Sequence, residues 1–306
     1  MNYIALLSTI QKNFNLIMNR PHLCESILPF KPPFEELCRY LREQEAPFFR
    51  RLWGDKSEFP ALIENLKTQA THGIRFTFPG EEHYPSSFVG MPGAPILISF
   101  RGHASWKSVR AIAVVGSRDI SRLSNLWMED SFADFLREHH PLIVSGGARG
   151  VDQLAHQLAL RNQCPTVAII PSGLGNIYPQ ALGLLQSKII DGGGCLLSEY
   201  AYDQQMWKQH FHDRNRLIAG LGQMTLLVEA RRRSGSLITA QRTLELGKTV
   251  LVVPGHPCEA SHLGNLDLLS DGATPVRDAH DLSMHFTDDI SMPRTAGSMA
   301  STMCLF

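Results

Sequence analysis

The chain reads as an α/β protein, a doubly wound and mostly parallel sheet preceded by a small helical domain, and three observations point there. From Ala111 onward, short apolar β-branched runs recur, each followed by a glycine-containing turn and a helix-period stretch of ten or more residues. None of these runs alternates with polar residues, as expected of strands buried on both faces under crossover helices. Before them, residues 1 to about 80 have no glycine until Gly54 and carry helix-period stretches at Phe34 to Leu41 and Ala61 to Lys67.

Taken in order, prolines at 29, 32, 33, 47 and 60 divide the first part into short helices, so a helical domain is expected over 1–80. Residues 81–110 hold Pro85, Pro92, Pro95 and the short apolar run Ile96 to Ile98, which reads as a linker with an edge strand. The strands are then expected at Ala111 to Val115, Leu142 to Val144, Thr166 to Ile170, Cys195 to Leu197, Thr225 to Val228 and Thr249 to Val253. A last helix and short strand follow around Leu263 to Val276, which closes a domain over 111–285. Residues 286–306 are rich in Ser, Thr, Met and Gly without period, and a disordered tail is expected there rather than a winged helix.

Composition bounds the function. Of 306 residues 43% are hydrophobic and 19% charged, with 29 Lys+Arg against 29 Asp+Glu, which is globular and neutral overall. The 6 cysteines form no CxxC pair and have no His at a ligand spacing, so a reduced, cytoplasmic protein without structural zinc is expected. No apolar run reaches the roughly 18 residues of a membrane helix, and no membrane partner is expected. The neutrality hides an asymmetry. Lys208 to Arg233 carries a balance of +4, with six basic residues against Asp213 and Glu229, whereas Glu259 to Asp289 carries −6. Blocks of opposite sign can place a basic crevice on a neutral molecule, or can simply be solvated faces.

In a doubly wound sheet, ligands sit beyond the carboxyl ends of the strands. The turns there are Gly116-Ser117-Arg118, Ser145-Gly146-Gly147-Ala148-Arg149-Gly150, Pro171 to Gly175, Arg231 to Ser236 and Pro254 to His256. Glycines in the Ser145 to Gly150 turn would let its amides form an anion-binding concavity at a helix amino end. Ser234-Gly235-Ser236, with Ser234 as the cap, offers the same geometry. A single such turn equally serves tight packing; several on one edge suggest a ligand with more than one phosphate. Trp207 to Arg216 interleaves rings and cations, as single-stranded nucleic acid requires. If Asp213 caps a helix starting at Arg214, one of Arg214 and Arg216 is structural and pairs with Glu199 or Glu229. Asp152 and His156 lie one turn apart, an arrangement more often structural than catalytic. No nucleophile elbow, zinc helix or P-loop occurs, so no catalytic constellation, metal or cofactor is expected.

Together these motifs resemble the DprA (Smf) family of DNA-processing proteins over residues 84–276. The stretches that carry the resemblance are VVGSR (Val114 to Arg118), SGGARGVDQLAH (Ser145 to His156), IYP (Ile177 to Pro179), FHDRNRLIAGL (Phe211 to Leu221), VEARRRSGSLITA (Val228 to Ala240) and VPG (Val253 to Gly255). The resemblance implies an extended Rossmann-like domain, usually a homodimer, that binds and protects single-stranded DNA and loads the RecA recombinase during natural transformation. It implies a sterile-alpha-motif-like fold for the amino-terminal helices. Carried over by motif, Arg118 and Lys208 are the main phosphate-binding cations, with Gly116, Ser117, Gly146 and Gly147 shaping the pocket. Arg149, Arg214, Asn215 and Arg216 complete the candidate set, together with Ser234, Gly235 and Ser236. The chain departs from the family pattern at His212, where proline is usual, and at Asn265, one position from the usual asparagine. A nucleotide-binding enzyme such as a phosphoribohydrolase, or a nucleotide sensor on the same sheet, is the alternative.

Overall fold

The computed structural model describes residues 68–288 except 96 and 108. The helical domain expected before residue 68, and the tail expected after 288, lie outside the described residues. The strands are β1 (Ile74–Thr77), β2 (Ile98–Gly102), β3 (Ala111–Val115), β4 (Leu142–Ser145), β5 (Thr166–Ile169), β6 (Cys195–Ser198), β7 (Met224–Leu227), β8 (Thr249–Val252) and β9 (Thr274–Pro275). They form one sheet in the order β1-β2-β6-β5-β4-β3-β7-β8-β9. From β6 through β9 every pairing is parallel, while β2 joins β6 antiparallel and β1 joins β2 antiparallel. The expected doubly wound, mostly parallel sheet is therefore present. Its order reverses at β3, between β4 and β7, which places the ligand crevice beyond the carboxyl ends of β3 and β7.

Strand side chains alternate between two cores. Ala113, Val115, Leu142, Val144, Leu227 and Val252 face one, and Ile112, Val114, Ile143, Leu226 and Leu251 face the other. This alternation of apolar with apolar is why the runs lack a polar face. The second core is closed by α1 (Arg122–Trp127), a wider turn at Met128–Phe132, α2 (Ala133–His139), α3 (Val151–Arg161) and, at the far end, Phe286. Between α3 and β6 come the short α4 (Gln180–Gly183) and α5 (Gln186–Asp191). The first core is closed by α6 (Lys208–Leu221) and α7 (Gly235–Glu245), and α8 (Leu263–Ser270) leads into β9.

Two boundaries differ from the sequence expectation. The segment 81–110 is no linker: Tyr84, Phe88, Met91, Ala94, Ile98 and Phe100 are part of the first core, and β2 lies inside the sheet. Its prolines bend the chain so that these side chains reach α6, where a Cβ on Gly220 would meet Met91 and Phe88. The edge is β1, inside the stretch expected to be helical. At the other end α9 (Ala279–Asp288) continues past residue 285, because Phe286 is buried edge-to-face on Phe135 at 5.2 Å.

Two side chains hold the crevice-forming elements. Lys248 Nζ donates to the carbonyls of Ala219, Gly220 and Gly222 at 3.0, 2.6 and 2.7 Å, which satisfies the end of α6. Burial lowers this ammonium to about 8. Asn265, fully buried, accepts from Ala230 N at 2.7 Å and donates to the carbonyls of Val228 and Val253 at 3.0 and 2.8 Å. It thereby ties α8 to the turns after β7 and β8, just ahead of Arg231. The displaced asparagine is thus a tether. Asn265→Leu leaves three buried backbone groups unpaired and is expected to cost about 3 kcal/mol or more. A urea midpoint unchanged from wild type would show the tether to be dispensable.

Candidate nucleic-acid interface

At the switch point the turns after β3 and β7, the start of α6 and the start of α7 enclose an open cavity of about 920 Å³. Its lining includes Gly116, Ser117, Arg118, Asp119, Ala148, Asp152, Tyr178, Met206, Lys208, Phe211, His212, Arg214, Asn215 and Arg231 through Ser236. Ser117 turns the chain after β3 by accepting from Asp119 N at 3.1 Å, which leaves Arg118 exposed at the apex. Ser234 caps α7, accepting from Ser236 N at 3.4 Å, and Gly235 is exposed in the cavity wall. Asn215 donates to Gly235 O at 3.3 Å, so α6 and the amino end of α7 are held together.

Electrostatics favour an anion. Lining cations are Arg118, Lys208, Arg214, Arg231, Arg232 and Arg233, against the acids Asp119 and Asp152. Asp119 is paired with Arg149, and Arg232 is held bidentate by Asp267 at 2.7 and 2.8 Å. Among the described residues, no carboxylate lies within 4 Å of Arg118, Lys208, Arg231 or Arg233. Arg233 adopts φ +63°, a left-handed conformation in the turn that leads into α7. Two rings share the cavity with these cations. The Arg118 guanidinium lies over Phe211 at 5.2 Å, and Tyr178 meets Phe211 edge-on at 5.8 Å.

The turn after β4 differs from expectation. Its amides are already occupied, since Gly146 N and Ala148 N donate to the Asp152 carboxylate at 3.1 and 3.3 Å. Gly146, Gly147 and Arg149 do not line the cavity. Gly146 is required for space: a Cβ there would fall on the Arg214 guanidinium, which itself donates to Ile169 O. Arg214 is buried, as is Asp152, and burial brings the guanidinium down to about 10. The turn, Asp152 and Arg214 form a buried anchor beneath the cavity. Arg216 does not reach the cavity either; it pairs with buried Glu199 at 2.5 Å. Both arginines of the RNR block are therefore engaged, where the sequence led us to expect one. The reason is that α6 begins at Lys208 with Trp207 as its cap, so Asp213 is no cap. Glu229 instead accepts from Ser121 N at 2.9 Å.

Asp152 and His156 are not an acid–base pair. His156 Nδ1 bonds Thr166 Oγ1 at 2.7 Å, and burial drops its ring to about 3, so it is neutral. Burial raises Asp152 from 3.8 to about 6, against the opposing pull of Arg214. Below 3.8 the carboxyl is protonated folded and unfolded; between 3.8 and 6 only the unfolded chain ionises, so stability falls as pH rises through that window. The displacement corresponds to about 3 kcal/mol. Relative to wild type, Asp152→Asn is expected to gain stability from pH 4 to pH 6.5 and then level off. Urea midpoints of both proteins across that range test this; a constant difference would mean that Asp152 is ionised throughout.

The sequence-derived set thus divides. Gly116, Ser117, Arg118, Lys208, Asn215, Ser234, Gly235 and Ser236 meet in the cavity, and Arg214 lines it from below. The set omits Tyr178, Phe211, His212 and Arg231 to Arg233. The arginine triplet stands out in the local charge balance, and the rings in the aromatic–cation interleaving.

A cation-lined, ring-bearing cavity thus lies at the switch point of a Rossmann-like sheet. The profile for DNA recombination-mediator protein A matches residues 75–287, and the chain belongs to that DprA/Smf family. It is 36% identical over 206 residues to DNA processing protein DprA of Streptococcus pneumoniae, covering 67% of this chain and 72% of that one. To protein Smf of Escherichia coli it is 33% identical over 201 residues, covering 66% of this chain and 54% of the relative. The pneumococcal DprA crystal structure aligns with a TM-score of 0.72 at 29% identity, over 92% of this chain and 93% of that one. DNA processing protein A from Helicobacter pylori, whose structure describes a single-stranded DNA binding mode, aligns with a TM-score of 0.62 at 27% identity, over 70% of this chain and 97% of that one. The matching profile is described as that of a DNA recombination mediator. Among the described residues no helix is long and apolar enough to cross a membrane, and no three His, Cys, Asp or Glu side chains group as a metal site.

Proposed function

We propose that the protein binds single-stranded DNA in the switch-point cavity, protects it, and hands it to a RecA recombinase in the cytoplasm during natural transformation, acting as a homodimer. The observation that carries this reading is that four cations without a described carboxylate partner line one open cavity together with the Phe211 and Tyr178 rings, Arg118 lying over Phe211. Cations neutralise phosphates and rings accept bases, which is what an unpaired strand offers. Arg118, Lys208, Arg231 and Arg233 hold phosphates in this reading. Gly116, Ser117, Asn215 and the Ser234-Gly235-Ser236 cap shape the wall and present the amino end of α7.

Fluorescence anisotropy with labelled oligo(dT), at two salt concentrations and with duplex competitor, tests it. Each phosphate contact is expected to contribute about 0.7 to the fall in log affinity per decade of salt, so four contacts give a slope near −3. Binding that ignores salt, or prefers duplex, overturns the reading. Thermal stabilisation by mononucleotides alone would assign the cavity to a nucleotide sensor. Release of free base from a nucleoside monophosphate would assign it to a phosphoribohydrolase. If oligonucleotide binds as expected, assays of RecA filament growth and of protomer mass follow.

A further inference from the structure

Trp207 is placed in a way the cavity does not explain. It is the cap residue of α6, and its backbone N lies 3.3 Å from His210 Nδ1. The His210 ring is stacked on Tyr200 at 4.1 Å. The backbone is thus pinned, yet the indole is 65% exposed. A tryptophan left in water forgoes the burial for which its size suits it. Its neighbours in the chain, Met206 and Lys208, both line the cavity. Phe211, three residues beyond Lys208 and about one turn further along α6, has its ring in the cavity wall. Trp207 therefore stands at the amino end of α6, directly before Lys208 and between two residues of the cavity wall.

We infer that Trp207 is a stacking platform for an unpaired base outside the cavity, so that a bound strand continues past the amino end of α6 with its phosphate near Lys208. This rests on the single-strand reading of the cavity and adds to it a direction of exit and a longer footprint. An indole face accepts any base, so the platform adds affinity without sequence preference. A duplex, whose bases are already stacked and paired, gains nothing from it.

The test uses the full chain and oligo(dT) of roughly 4 to 16 nucleotides, spanning the site sizes of single-strand binders. Anisotropy and tryptophan emission are read together, with thermal melting as the control for folding. Trp207→Ala is expected to weaken the longer oligonucleotides roughly tenfold and leave the shortest unchanged. Trp207→Phe keeps a ring and is expected to recover most of that affinity, while the emission quench on binding disappears in both variants. Wild-type binding of every length by Trp207→Ala, in a preparation where Arg118→Ala binds weakly, overturns the platform and leaves the cavity reading standing. Equal weakening for duplex and single strand also overturns it, because a paired base cannot use the ring. Failure of wild type to bind any length at low salt removes the cavity reading, and the platform with it.

Discussion

Arg214→Met is expected to cost about 3–5 kcal/mol of folding stability, a fall of roughly 6–20 °C in Tm, before any question of DNA binding arises. The side chain is 3% exposed, and its guanidinium donates to the Ile169 carbonyl and packs against Gly146. It is also the cation acting on the buried Asp152 carboxylate, which in turn holds the amides of Gly146 and Ala148. Methionine fills similar volume but leaves that carboxylate without its cation, which is far more costly than removing both charges. The double variant Arg214→Met/Asp152→Asn is accordingly expected to recover part of the loss. Circular dichroism melts of the two variants decide the matter. Unchanged melting of Arg214→Met combined with lost DNA affinity would instead make Arg214 a phosphate ligand.

This prediction marks the limit of what the sequence reveals. The runs from Ala111 to Val253 are legible because a strand buried on both faces must be apolar at every position, and six such runs match β3 to β8 within a residue or two. β1 is not legible that way, and β2 shows only its first residue in the short apolar run Ile96 to Ile98. Ile-Arg-Phe-Thr and Ile-Ser-Phe-Arg-Gly are short and carry charges, since they extend the sheet antiparallel at its margin, and the prolines between them mimic a linker. The site divides along the same line. Turns that must be glycine-rich and cationic announce themselves, as at Gly116 to Arg118 and Arg231 to Ser236. Occupancy is harder to see locally: no feature of Ser145 to Gly150 says that its amides are filled from within by Asp152, and of the two carboxylates that the sequence offered to Arg214 or Arg216, it is the fold that brings Glu199 to Arg216.

Arg118 and Lys208 are the opposite case, where loss of function without loss of structure is expected. Both are exposed, and neither has a described carboxylate within ion-pair distance. Arg118 lies over the Phe211 ring, and Lys208 opens α6 with its side chain exposed. A charge-assisted contact to phosphate is worth about 1.5–3 kcal/mol, nearer the lower value where water screens it. Arg118→Ala/Lys208→Ala is therefore expected to weaken oligo(dT) binding roughly a hundredfold, and to lower the salt slope by about 1.4 at 0.7 per contact. The loss is expected to be the same for any base composition, because phosphate contacts read no sequence. Melting is expected to stay within a degree or two of wild type. Anisotropy titrations at several salt concentrations, alongside a thermal melt, give all three quantities from one preparation. A preserved salt slope with weakened affinity would mean that the two cations shape the cavity without meeting phosphates, and would move the phosphate path to Arg231 and Arg233. A large drop in melting would make them structural, and would tie the cavity wall to the same buried anchor that Arg214 serves.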